Sequence, residues 1–140
     1  MRHLILILLF YIPISIVKSQ DLSKPTGIGT MKITTIQVDE ESSLMNFEGN
    51  IGEYGKVFAS FTLWPSDSNK DSGVLEGHAR TILEDGTFLH SPLNGSWKRK
   101  KGNLKFFFTD NVNNGAMNFV IWDVNMLSKE TAVRYYSLLD

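Results

Sequence analysis

Three ionisable side chains stand at every second position along one short stretch: Glu76, His78 and Arg80. On an extended strand that spacing places all three on one face. Together they could perform general acid–base chemistry. His78 would move a proton, Glu76 would orient its ring, and Arg80 would hold an anionic group. The same alternation also describes an ordinary solvated strand face. The choice between the two rests on strand register, and turns set register.

Three turn dipeptides punctuate the second half of the chain: Asp85-Gly86, Lys101-Gly102 and Asn114-Gly115. Each separates two runs rich in apolar, β-branched or aromatic residues, the pattern of successive hairpins. If Lys101-Gly102 is a two-residue turn, Trp97 opposes Phe106 and Gly95 opposes Phe108. A ring lying over a cross-strand glycine is a stabilising pair. If Asn114-Gly115 is also a two-residue turn, Phe108 opposes Ile121, Asp110 opposes Phe119 and Phe106 opposes Asp123. The core face then runs on through Met117, Phe119 and Ile121. Phe107 would meet Trp122 outside, under cover of Tyr135 and Tyr136 or of a second copy.

The same rule at Asp85-Gly86 sets Arg80 against Ser91, His78 against Leu93 and Glu76 against Gly95. The trio would then face the interior beside Trp97, Phe106 and Phe108. Buried unpaired, such groups are costly, so they would bond one another or line a wet cavity. A three-residue turn with a bulge at Gly86 reverses this, because a slip of one residue sends every side chain to the other face. Leu75, Gly77, Ala79 and Leu83 then become the core side. This solvated arrangement is the favoured one of the two.

Upstream, residues 30–38, 44–51 and 54–64 also read as strands, and 66–72 as a flexible polar connection. Residues 128–139 fit a strand better than a helix. Eight or nine short antiparallel strands predict an all-β domain, a single up-and-down β-barrel, with a β-sandwich as the alternative. The architecture is similar in kind to the lipocalin, allene-oxide-cyclase and dirigent barrels. That likeness is one of fold and carries no motif and no function.

At the N-terminus, Arg2 and His3 precede an apolar run from Leu4 to Val17, and Val17-Lys18-Ser19 precedes Gln20. This is the plan of a secretory signal peptide, residues 1–19, cut before Gln20. The run is too short for the roughly 18 residues of a membrane span, and no later stretch is long and apolar enough for a spanning helix. A flexible leader, 20–29, and a barrel domain, 30–140, complete the organisation. The chain would be secreted or periplasmic. It has no cysteine and a net charge of −1. That disfavours a disulfide scaffold and a nucleic-acid binder.

Other chemistry is thinly represented. His78 and His90 lack a carboxylate set to complete a zinc-like shell, so no metal and no cofactor is expected. Lys98-Arg99-Lys100-Lys101 could touch anionic headgroups or acidic polysaccharide, but lysines at a hairpin tip more often block edge pairing. Asn94-Gly95-Ser96 is a formal glycosylation triplet of little weight. No serine sits in a nucleophile elbow.

The expectation is therefore an exported, non-catalytic barrel that binds a small apolar or amphipathic ligand or a protein partner. Trp97, Phe106, Phe108 and Phe119 would line its apolar part, and Glu76, His78 and Arg80 would orient a polar end if they point inward. The alternatives are a small isomerase- or cyclase-type enzyme using that trio, and a structural or adhesive surface protein. A homodimer is a further expectation.

Overall fold

The computed structural model describes residues 21–139 of the chain. The signal peptide expected over 1–19 lies outside the described residues. Eight antiparallel strands follow one another around a closed barrel, each paired with its sequence neighbour. They are β1 (Gly27–Val38), β2 (Ser43–Ile51), β3 (Gly55–Pro65), β4 (Ser72–Ile82), β5 (Phe88–Lys100), β6 (Asn103–Asn111), β7 (Met117–Asn125) and β8 (Glu130–Ser137). Pairing of β1 with β8, from Gly27↔Tyr135 to Lys32↔Glu130, closes the ring. The first strand begins three residues before the sequence-based domain boundary, and the C-terminal segment is a strand. Among the described residues no helix is long and apolar enough to cross a membrane.

Pro92 does not divide β5. It sits just before the β5–β6 ladder starts at Leu93↔Asp110, so its missing N–H interrupts no pairing with β6.

An eight-stranded barrel is just wide enough for inward side chains to fill it. Here the middle is filled by rings. Phe61, with no exposed surface, packs against Phe108 and Trp122 at ring-centroid distances of 5.1 Å and against Phe106 at 5.4 Å. Phe47 closes on Trp122 at 5.0 Å, edge to face. Inward glycines make the room. A Cβ at Gly95 would stand 2.6 Å from Phe108 Cβ, and one at Gly77 would stand 2.8 Å from Phe61 Cδ1.

The two ends differ. At one end, Trp97 Nε1 donates to the Val74 carbonyl at 3.1 Å. Arg99 reaches over from β5, its Nε donating to the Lys70 carbonyl at 3.1 Å and its guanidinium pairing with Asp71 at 2.5 Å. Asp67 accepts from the backbone of Asn69, Asp71 and Ser72. Loop 66–71, expected to be flexible, is therefore braced, and Arg99 of the basic cluster is a structural brace. The other end gathers the turn η1 (Gly52–Tyr54) and loops 83–87 and 112–116. The candidate site lies inside that end.

Candidate functional site

The register of two turns decides what the site contains. Lys101-Gly102 is a two-residue turn, with Lys100 opposite Asn103 and Lys101 at φ +55°. Trp97↔Phe106 and Gly95↔Phe108 pair as expected. The other two glycine turns are one residue longer. Gly86 N–H donates to the Leu83 carbonyl, Leu83 N–H donates to the Thr87 carbonyl, and Gly86 takes φ +84°. Loop 112–116 repeats the plan, with Gly115 at φ +93°. In both, the first residue of the dipeptide clamps the turn. Asp85 accepts from Thr87 N–H at 2.8 Å and Asn114 from Ala116 N–H at 3.0 Å. Each is a three-residue hairpin loop with glycine in the left-handed region.

Each longer turn slips its hairpin by one residue. On β4, Arg80 pairs with His90, His78 with Pro92 and Glu76 with Asn94. All three side chains of the trio are exposed on the outer face, while Leu75, Gly77, Ala79 and Thr81 face inward. The interior placement of Glu76, His78 and Arg80 is therefore corrected to the solvated one. His78 and Arg80 border an open outer groove of about 440 Å³ with Asn46, Glu48, Phe58 and Ser60. Two of its polar groups already bond within the wall, Ser60 Oγ donating to Asn46 Oδ1 at 2.5 Å and Asn46 Nδ2 to Thr35 Oγ1 at 2.6 Å.

On β7 the slip exchanges the faces. Asn118, Val120, Trp122 and Val124 point inward, and Phe106 opposes Trp122. Phe119 and Ile121 lie outside, so Phe119 does not share a face with Trp97, Phe106 and Phe108. Its ring lies 6.4 Å from that of Tyr136. Phe107 pairs with Ile121 on the outer face, and Tyr135 points inward. Asp123 also faces out, between Lys105 at 3.0 Å and Arg134 at 2.6 Å.

Within the end that holds η1 lies a cavity offering about 60 Å³ to the centres of water-sized atoms. The cavity is partly open to solvent, so a ligand larger than this inner volume can extend out of it. Leu89, Leu93, Phe108, Val120, Trp122 and Val133 form an apolar wall. Tyr54, Thr81, Ser91, Asp110 and Tyr135 bring polar atoms to it, and Arg80 and His90 border it.

The polar side is built by three elements. Asp110 on β6 and Asn118 on β7 are directly opposed, and Asn118 Nδ2 donates to Asp110 Oδ1 at 2.8 Å. The same amide donates to Tyr54 Oη at 3.2 Å. Tyr54 thus reaches across the barrel end from η1 to β7, its ring 5.5 Å from that of Tyr135 on β8. Two glycines accommodate Tyr135. Gly27 lies opposite it, where a Cβ would stand 2.4 Å from its hydroxyl, and Gly52, at φ +42°, would bring a Cβ to 3.1 Å. Thr81 has its hydroxyl spent on the wall, 2.5 Å from the Tyr54 carbonyl and 2.6 Å from that of Lys56.

Burial governs the electrostatics. Desolvation pushes the Asp110 carboxyl above its ordinary range, against the opposing effect of the bond from Asn118. Burial likewise raises the Tyr54 phenol, with smaller contributions from the charges of Asp110 and Glu53. Tyr135 is pushed up to about 12, by burial first and then by Glu53, Tyr54 and Asp110. Behind the apolar wall, Trp122 Nε1, a fully buried atom in a side chain 2% exposed, has no hydrogen-bond partner.

Among the described residues no group of three or more His, Cys, Asp or Glu side chains is arranged to hold a metal ion. Sequence reasoning placed Asp110 near the core but missed Tyr54, Asn118 and Tyr135 as its companions. The signal was Asn118 itself, a polar residue two positions before Val120 and four before Trp122 in an otherwise apolar run. Comparison with protein-family models, curated proteins and solved structures finds no match to this chain.

Proposed function

We propose that this chain is an exported, non-catalytic barrel that binds a small amphipathic molecule in the cavity beneath η1. The single observation that carries the reading is the contrast between a ring-filled, braced barrel body and an end that keeps a cavity with a buried apolar wall and polar groups on one side. Eight-stranded barrels hold one small ligand in this way. Tyr54 and Asp110 are only half buried, which leaves the polar side within reach of solvent.

The trio Glu76, His78 and Arg80 is assigned no part in this site. Its groove is lined mostly by exposed outer-face side chains, whereas the cavity beneath η1 has a buried apolar wall. The apolar end of the ligand is taken instead by Leu93, Phe108, Val120 and Val133.

A compact apolar probe tests the reading. Ethylbenzene titrated into the protein should bind and perturb Trp122 fluorescence. Ala79→Leu, which fills the cavity from β4, should weaken that binding at least tenfold while the far-ultraviolet circular dichroism of the barrel is kept. Equal binding by the filled variant, or no binding by either protein, would overturn it.

A further inference from the structure

Resting on that reading, we infer that the preferred ligand is a cationic amine with a compact apolar body, held by Asp110 beside the rings of Tyr54 and Tyr135. The argument starts from what the polar atoms of the cavity still need. The Thr81 hydroxyl is spent on two backbone carbonyls. Both amide protons of Asn118 are spent, on Asp110 and on Tyr54. Asp110 accepts from the side chain and the backbone of Asn118 and from no other described residue, whereas an ionised carboxylate has about four lone-pair sites.

No cation answers its charge. The ion pairs of the described residues join Lys56 with Glu48, Arg99 with Asp71, and Lys105 and Arg134 with Asp123, and none includes Asp110. Arg80 and His90 border the cavity from outward positions on β4 and β5, and neither pairs with it. Glu53 on η1 adds a second negative charge close enough to act on both tyrosines. The polar side is therefore short of positive charge, and burial already disfavours the bare carboxylate there. An anionic ligand would aggravate that imbalance, and a neutral one would leave it unchanged. A cation removes it, and a hydrogen bond to an ionised acceptor is about twice as strong as one between neutral groups.

Two further features suit an amine. The Tyr54 and Tyr135 rings, 5.5 Å apart, offer electron-rich faces that attract an ammonium group, and their oxygens offer acceptors. The apolar wall of Leu93, Val120 and Val133 takes the body of the molecule, and the small inner volume restricts the part held inside to one ring or a short chain.

The experiment compares three probes of one shape: 2-phenylethylamine, 2-phenylethanol and ethylbenzene, by calorimetric titration at pH 7. The amine should bind at least tenfold more tightly than the alcohol and the hydrocarbon. Asp110→Asn should abolish that advantage while ethylbenzene affinity is kept, which shows that the variant still folds around its cavity. Equal affinities for the three probes, or an amine preference that survives Asp110→Asn, overturn the inference and leave the ligand-binding reading standing. No binding by any of the three overturns both.

Discussion

Asn118 Nδ2 donates to Asp110 Oδ1 at 2.8 Å from the directly opposed position on the next strand. The pair joins β6 to β7 at the open end, and through Asn118 it also holds Tyr54. Its acid carries a consequence for pH. The folded-state pKa of Asp110 lies above its ordinary value of 3.8. The folded chain therefore holds this proton more tightly than the unfolded chain. For this group, stability is fully present below the unfolded value and is lost as pH rises through the raised one. Urea unfolding measured from pH 3 to pH 8 should show that decline. In Asp110→Asn this part of the slope should be gone, and parallel profiles for the two proteins would contradict the assignment.

The phenols give a second titration. Tyr135 is held at about 12, chiefly by burial. Absorbance at 295 nm, followed through pH 10 to 12, should show a late phenolate step in the native protein. Tyr135→Phe should lose that step. A Tyr135 phenol that ionises with the exposed model compound would show that its ring does not sit beneath Gly27 and Gly52.

Packing separates Phe61 from Phe119. Phe61 touches Phe47, Phe106, Phe108 and Trp122 and has no exposed surface. Phe61→Ala should destabilise the barrel by about 3–5 kcal/mol in denaturant unfolding. Phe119 is half buried on the outer face against Tyr136. Phe119→Ala should cost clearly less, and a larger loss than at Phe61 would reverse the faces assigned to β7.

The glycine turns also differ in what they tolerate. Gly86 and Gly115 take φ +84° and +93°, and a Cβ at either would meet nothing within 4 Å. Gly86→Ala and Gly115→Ala should each therefore cost about 1–2 kcal/mol, from the left-handed backbone alone. At the two-residue turn the left-handed residue is Lys101, at φ +55°. Lys101→Gly should stabilise the hairpin or leave it unchanged. Thermal unfolding of the three variants checks the contrast.

These turns explain how much of the site was legible. The meander, the closed all-β architecture and the pairs Trp97↔Phe106 and Gly95↔Phe108 follow from turn residues and cross-strand neighbours, and the structure has them. Asp85-Gly86 and Asn114-Gly115 suit loops of two or of three residues equally well. Their length shows only in the bonds made by Leu83 and Val112. On β4 the alternation of Glu76, His78 and Arg80 with Leu75, Gly77 and Ala79 could decide the face, because one side is polar. On β7 it could not, because Phe119 and Ile121 are as apolar as Val120 and Trp122. Tyr54 was hidden for another reason. It sits on a three-residue turn and meets Asn118 across 64 positions of sequence, a contact that no local pattern announces.

The most direct test of the account is to map where a compact ligand binds. Ethylbenzene titrated into isotopically labelled protein should shift the resonances of Leu93, Phe108, Val120, Trp122 and Val133. Those of Leu104, at the braced end, should stay in place. Shifts confined to the outer groove around His78 and Arg80, or none at all, would contradict the account.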